Sequence, residues 1–147
     1  MKAGRMGVLP NKAILAIAAV VDIAVHSKER PVSAKALAIR HALPPRHLEP
    51  VLQALVREGL LRGIRGPGGG YALARDPKDV SAEAILRAAG TVEDETSEPP
   101  VDSALVRKAV LPAVALAEQI FSDALKKVRV ADMVDAAVEL GCDRPHS

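Results

Sequence analysis

The sequence predicts a mostly α fold with one small β-hairpin. Three features predict it. Residues 65–71, RGPGGGY, place four glycines and a proline between two short apolar runs, 60–64 and 71–74, the pattern of two strands joined by a glycine-rich turn. Upstream, two short helical patterns are separated by Leu43-Pro44-Pro45, and the second flows directly into the hairpin. Downstream, Val110, Val114, Ala117, Phe121, Ala124 and Val128 recur at spacings of 4, 3, 4, 3 and 4, a heptad-like seam on a long helix. Helix, turn, helix and hairpin in that order make a winged helix-turn-helix, here followed by a long dimerisation helix.

Taken in order, residues 1–9 read as a loose basic arm. Pro10-Asn11 opens a first helix, with Asn11 as its expected N-cap, and the helix runs to about His26. It is apolar nearly all round, so it is expected to be buried on more than one side. Residues 28–32 read as a connector. Ser33 caps a second helix over 34–41, with Leu37 and Ile39 (or Ala38) inward. Pro45 starts a third helix at its first position, and Leu48, Val51, Leu52, Leu55 and Val56 form its apolar stripe. Gly59 is the expected stop. Pro50 lies inside that helix, where it removes a backbone bond and predicts a slight kink. Ser81 caps a short helix, Ala82 to Ala89. Residues 90–102, GTVEDETSEPPVD, hold five acids and no base and read as an exposed, mobile loop. The long helix spans Ser103 to about Val128. It carries a second apolar stripe of Ala109, Ala113, Leu116 and Ile120, and Pro112 is expected to bend it or mark its start. Periodicity leaves two readings of these stripes open: one face for the chain's own domain and one for a partner subunit, or a single wide core-facing stripe. A last helix covers 131–140 and stops at Gly141. The resulting layout is an arm (1–9), a winged domain (10–90), an acidic loop (91–102), a dimerisation helix with a C-terminal helix (103–140) and a tail (141–147).

Composition supports this division. A chain of 147 residues suffices for one compact domain, or a small domain plus a dimerisation element. Hydrophobic content is 49%, yet Tyr71 and Phe121 are the only aromatics, so the core must be built from Ala, Val, Leu and Ile. A thin core of this kind favours packed helices and burial through oligomerisation. The net charge of +2 conceals an asymmetry: residues 1–80 hold 13 Lys/Arg and 6 Asp/Glu, whereas residues 81–147 hold 7 and 12. The basic half contains the hairpin, which suggests a polyanion-binding half and a half with another task. Cys142 is the single cysteine, so no intrachain disulfide framework is available. The uncharged run 13–21 is too short to span a bilayer and no leader is evident, so a cytoplasmic protein that meets no membrane is expected.

The glycine run does not fit nucleotide binding. A dinucleotide fingerprint needs its glycines to open a helix, and a Walker loop needs Gly-Lys-Ser/Thr, which the chain lacks. A basic wing fits better: Gly68, Gly69 and Gly70 let backbone approach a phosphate backbone or minor groove, Arg65 supplies attraction, and Tyr71, at the end of the glycine run, is counted with them as a DNA contact. A purely structural hairpin is the plainer alternative. Arg46, His47 and Glu49 lie near the start of the third helix, where recognition helices meet base edges: Arg pairs with guanine O6/N7, and Glu accepts from cytosine N4. The plainer alternative there is a solvated helix start. Ser33 and Lys35 open the second helix, where donors commonly hold phosphate, and Lys12 can do the same from the first. His26, His41, His47 and His146 show no ligand spacing and read as surface or cap residues, so no metal site is expected. Cys142 reads as a free thiol. No nucleophile–base pair or phosphate loop supports catalysis. The competing non-enzymatic readings are a winged-helix protein–protein adaptor and a thiol-based redox sensor using Cys142.

The chain resembles the Rrf2 family of bacterial transcription regulators. The resemblance rests on the apolar first helix with Asp22, Pro31-Val32-Ser33, Leu48-Glu49-Pro50-Val51-Leu52, Leu55, Gly59-Leu60-Leu61, the wing 65–74, and Ile85-Leu86-Arg87-Ala88-Ala89-Gly90; it covers roughly residues 10–140. It implies a winged helix-turn-helix, a homodimer whose long helices cross, and a partly palindromic operator in double-stranded DNA, with Glu49 at a position that reads bases. Members of this family that sense iron–sulfur clusters include repressors and carry three cysteines in the segment matching residues 90–102. This chain has none there, so no cofactor is expected, and any signal would come from an unidentified small molecule or protein effector. The extension before the first helix is a further departure.

Overall fold

The structure is a computed structural model that describes residues 9–90 and 102–142. Its centre is α1, Asn11–His26. Ala13, Ala16, Ala19, Val20 and Ile23 of this helix are fully buried, and α1 packs against α3, β2, α4 and α6. Alanine on the buried faces lets the surrounding helices approach closely, which suits a chain with almost no aromatics. Pro10, not Asn11, occupies the N-cap, and no side-chain cap bond forms there. The fixed φ of proline pre-sets the extended turn into the helix, and Asn11 is its first residue.

The helix-turn-helix consists of α2 (Ala34–Arg40) and α3 (Pro45–Arg57). Ser33 caps α2 by accepting from Ala36 N at 3.0 Å. Leu37 and Ala38 are buried, whereas Ile39 is 70% exposed, so the inward pair is 37 and 38. The turn begins earlier than the prolines: Ala42 adopts φ 53°, the one non-glycine residue with positive φ among those described. Its N–H bonds Ile39 O and the next N–H, of Leu43, bonds Ala38 O. This is a Schellman closure with alanine where glycine is usual. Pro45 sits at the start of α3 as expected, and Gly59, at φ 78°, ends it through Gly59 N to Val56 O and Leu60 N to Leu55 O.

The hairpin pairs β1 (Leu61–Ile64) with β2 (Gly70–Leu73) antiparallel, with Leu61 opposite Leu73 and Ile64 opposite Gly70. Residues 60 and 74 fall outside the strands but are joined by Ala74 N to Leu60 O. The connector before α2 takes part in the sheet: Val32 and Tyr71 exchange two backbone hydrogen bonds, at 2.9 and 2.8 Å. Val32 is also buried, so the segment read as a linker is a one-residue third strand.

After a 3-10 turn at Pro77–Asp79, α4 (Ala82–Ala89) is capped by Ser81, whose Oγ accepts from Ala84 N at 3.1 Å. The long helix opens with Ser103 Oγ accepting from Val106 N, passes through a π turn at Val106–Val110 and continues as α5, Leu111–Lys126. Pro112 explains the π turn: it has no N–H for the carbonyl of Lys108, and a widened turn relieves the ring's crowding. Residues 80–82 pair with 128–130 through Ala82 N to Val128 O (2.7 Å) and Val130 N to Val80 O (2.8 Å), which ties the end of α5 to the start of α4. Helix α6 (Val130–Glu139) follows and closes at Gly141. No described helix is long and apolar enough to cross a membrane. Most of the expected acidic loop, the N-terminal arm and the last five residues of the tail, His146 included, lie outside the described residues.

Candidate nucleic-acid interface

The expected contact residues fall on α2, α3 and the hairpin, with Lys12 alone on α1. Helix α3 turns Leu48, Val51, Leu52 and Leu55 into the core. Arg46, His47, Glu49, Pro50, Gln53 and Arg57 are exposed. At ~100° per residue, Arg46, Glu49, Pro50, Gln53 and Arg57 share an arc of about 100° directly opposite the buried stripe. Gln53 and Arg57 were not among the residues singled out from sequence. The signal was available in their spacing of four from Glu49 and Gln53.

The hairpin is exposed at Arg62 of β1 and, at its tip, through Arg65, Gly66, Pro67 and Gly68. Gly69 and Gly70 are required by close approach: a Cβ on Gly69 would collide with Ile64 O, and one on Gly70 with the Val32 carbonyl. The glycines therefore shape the wing and seat its root, rather than all facing outward. Tyr71 is half-buried beside Val32, which makes it a joint between wing and α2. Through that joint Ser33 and Lys35, at the start of α2, adjoin the root of the wing. Ser33 already gives its oxygen to Ala36 N, and Lys35 is exposed. Lys12 is half-buried near the start of α1.

One group holds the helix-turn-helix against α1. Asp22 is 8% exposed and binds Arg40 in bidentate fashion, Nε to Oδ2 at 2.9 Å and Nη2 to Oδ1 at 2.6 Å. His41 Nε2 donates to Oδ2 at 2.9 Å, and His26 Nδ1 lies 3.2 Å from Oδ1 and 3.0 Å from the Asp22 carbonyl. Burial alone pushes the carboxyl pKa up, but the bonds from Arg40 and His41 outweigh it and hold the group below the usual carboxylate range. The same contact raises Arg40. His26 and His41 are thus half-buried partners of a carboxylate rather than free surface residues, and His41 is also the C-cap of α2. The lone acid in an apolar helix was the available signal, since a buried carboxylate needs a partner.

Among the described residues no group of three or more His, Cys, Asp or Glu side chains is placed to hold a metal. A cleft of about 210 Å³ lies between Glu58, Leu60, Arg75, Ala84, Arg87 and Ala88, below the roughly 300 Å³ at which small-molecule sites begin. The expected dimer seam is bare: no residue of α5 is buried, and Val110, Leu111, Val114, Leu116, Ile120, Phe121 and Val128 are exposed apolar side chains. The stripes do not form one core-facing band, although α5 touches α4.

Comparison with known proteins agrees with this geometry. The profile of the Rrf2 family, described as an iron-dependent transcriptional regulator, matches residues 9–136. The HTH-type transcriptional regulator IscR of Serratia proteamaculans (strain 568) is 34% identical over 88 residues, which are 60% of this chain and 54% of that protein. The chain thus spans about half the length of the curated relatives it matches. A solved structure of T. potens IscR superposes with a TM-score of 0.68 at 28% identity, covering 88% of this chain and 87% of that one. CymR, titled the global cysteine regulator of B. subtilis, shares the fold at a TM-score of 0.65 and 23% identity, covering 87% and 96% of the two chains.

Proposed function

The chain belongs to the Rrf2 family of transcriptional regulators, a class without enzymatic activity, and from that premise we propose that it binds double-stranded DNA sequence-specifically as a homodimer on a partly palindromic operator and acts as a repressor. The observation that carries this reading is the outward face of α3, polar and basic, set opposite its core stripe and continuous in sequence with a basic glycine wing. Such a helix fits the major groove, with Arg46 and Glu49 at base edges, while Arg65 follows phosphate or enters the minor groove. Lys12, Ser33 and Lys35 supply further phosphate contacts. Repression is the mode suggested by the family's cluster-sensing repressors.

The bare apolar row on α5 supports the homodimer. Large side chains such as Leu116 (71% exposed) and Ile120 (60%) have no cover among the described residues, and a second copy crossing through the same helix removes them from water. Two such wings and helices then meet half-sites about one helical turn, ~34 Å, apart.

The residues present do not fit an iron–sulfur cluster. The chain has one cysteine, Cys142, exposed after α6, and none between residues 90 and 102. Thiolates are the usual ligands, and the carboxylates at 93, 94, 95 and 98 are hard oxygen donors. Regulation therefore falls to another input, a small ligand or partner protein. The exposure of Cys142 favours one specific second reading, thiol oxidation. Selection of binding sites from random duplex DNA tests the main reading: a partly palindromic motif is expected, and selection without enrichment would rule it out. An adaptor that docks proteins would give no motif.

A further inference from the structure

We propose that Gln53 is a further base-reading residue of α3, recognising an adenine through its carboxamide. This inference rests on the DNA-binding reading above and concerns which residues set the operator. Gln53 is exposed on the arc shared by Arg46, Glu49, Pro50 and Arg57, opposite Leu48, Val51, Leu52 and Leu55. It makes no side-chain hydrogen bond to any described residue, so both its N–H donors and its carbonyl are available. It lies four residues beyond Glu49, about 6 Å along the helix axis, or close to two base-pair steps. A helix lying in the groove therefore carries Gln53 past the base pair met by Glu49.

The side chains around it favour base reading over phosphate contact. Arg57, four residues further along the same face, supplies the attraction to phosphate that a neutral amide lacks. Between Glu49 and Gln53 stands Pro50, also exposed. Its compact ring, without a long side chain, leaves the middle of the face low, so the base edges come within reach of the short Gln53 arm. The amide offers one donor and one acceptor in a plane, the complement of adenine N7 and N6–H in the major groove. No other base presents that pair of groups there.

Parallel selections from random duplex DNA test the proposal, using the full chain and its Glu49→Ala, Gln53→Ala and Gln53→Glu variants, with melting temperatures measured alongside. The parent motif is expected to contain an adenine column that Gln53→Ala flattens roughly tenfold in preference. The column sensitive to Glu49→Ala should stay intact, as should affinity for unselected DNA and the melting temperature. Gln53→Glu should shift that column toward cytosine, whose N4 amino group donates to a carboxylate. A surface residue that merely favours the helix would not redirect a base preference. Identical motifs for the parent and both Gln53 variants, alongside a changed column in Glu49→Ala, overturn the role of Gln53 while leaving the DNA-binding reading standing. A parent chain that enriches no sequence overturns both.

Discussion

At the scale of single residues, two side chains carry unusual strain or burial. Ala42 holds a left-handed conformation at φ 53°, which costs an L-residue roughly 1–2 kcal/mol. Glycine removes that penalty but loses more backbone entropy on folding. Ala42→Gly is therefore expected to stabilise the fold by about 0.5–1 kcal/mol, read as a higher urea midpoint at fixed protein concentration. An unchanged or lower midpoint would mean that the turn is not strained. Asp22 acts in the opposite sense. Its folded pKa lies below the unfolded value, so its ion pair contributes in full above about pH 4 and is lost as pH falls through the lower folded value. Asp22→Asn should destabilise at pH 7 by about 2 kcal/mol, in the range of hydrogen bonds to charged groups. The deficit should shrink below pH 4, where the parent loses its own carboxylate, and a deficit independent of pH would refute the ion-pair account.

At the scale of elements, much of the order along the chain was legible because each boundary has local chemistry. Ser33 and Ser81 cap helices, Pro45 begins one, and Gly59 and Gly141 end two. What escaped was pairing between segments distant in sequence. Val32 pairs with Tyr71 and Ser81 with Arg129, and neither segment has enough alternation to announce a strand. Pro112 announced a defect in the long helix, but not that a π turn would absorb it. In the candidate interface, Arg46, Glu49 and Arg65 were singled out by residue type and the structure leaves them exposed, whereas the seating of Gly70 against Val32 needed the fold. The heptad-like spacing of α5 left its partner open, and its bare apolar row is the reason for proposing a second copy. Phe121→Asp would place a charge in that row and should give a monomeric or unfolded chain by sedimentation. A parent that sediments as a stable monomer at micromolar concentration would remove the homodimer.

At the scale of the whole molecule, charge is sorted. Residues 1–80 carry 13 Lys/Arg against 6 Asp/Glu and contain every proposed DNA contact, whereas residues 81–147 carry 7 against 12 and contain the proposed dimer helix. On the proposed DNA-binding reading, this sorting puts the attraction to a polyanion in the half that holds the wing and α3. The central claim is that these wings lie on duplex DNA, and the slope of log affinity against log salt on a generic duplex tests it most directly. Log affinity should fall linearly with log salt, with a slope of about −0.9 for each phosphate neutralised. Arg65→Ala should weaken binding to every sequence and make the slope shallower by about one unit per wing, if Arg65 meets phosphate. If Arg65 enters the minor groove instead, the loss should vary with groove width and A·T content. Affinity that is insensitive to salt, or a parent and Arg65→Ala variant that bind alike on all duplexes, would contradict it.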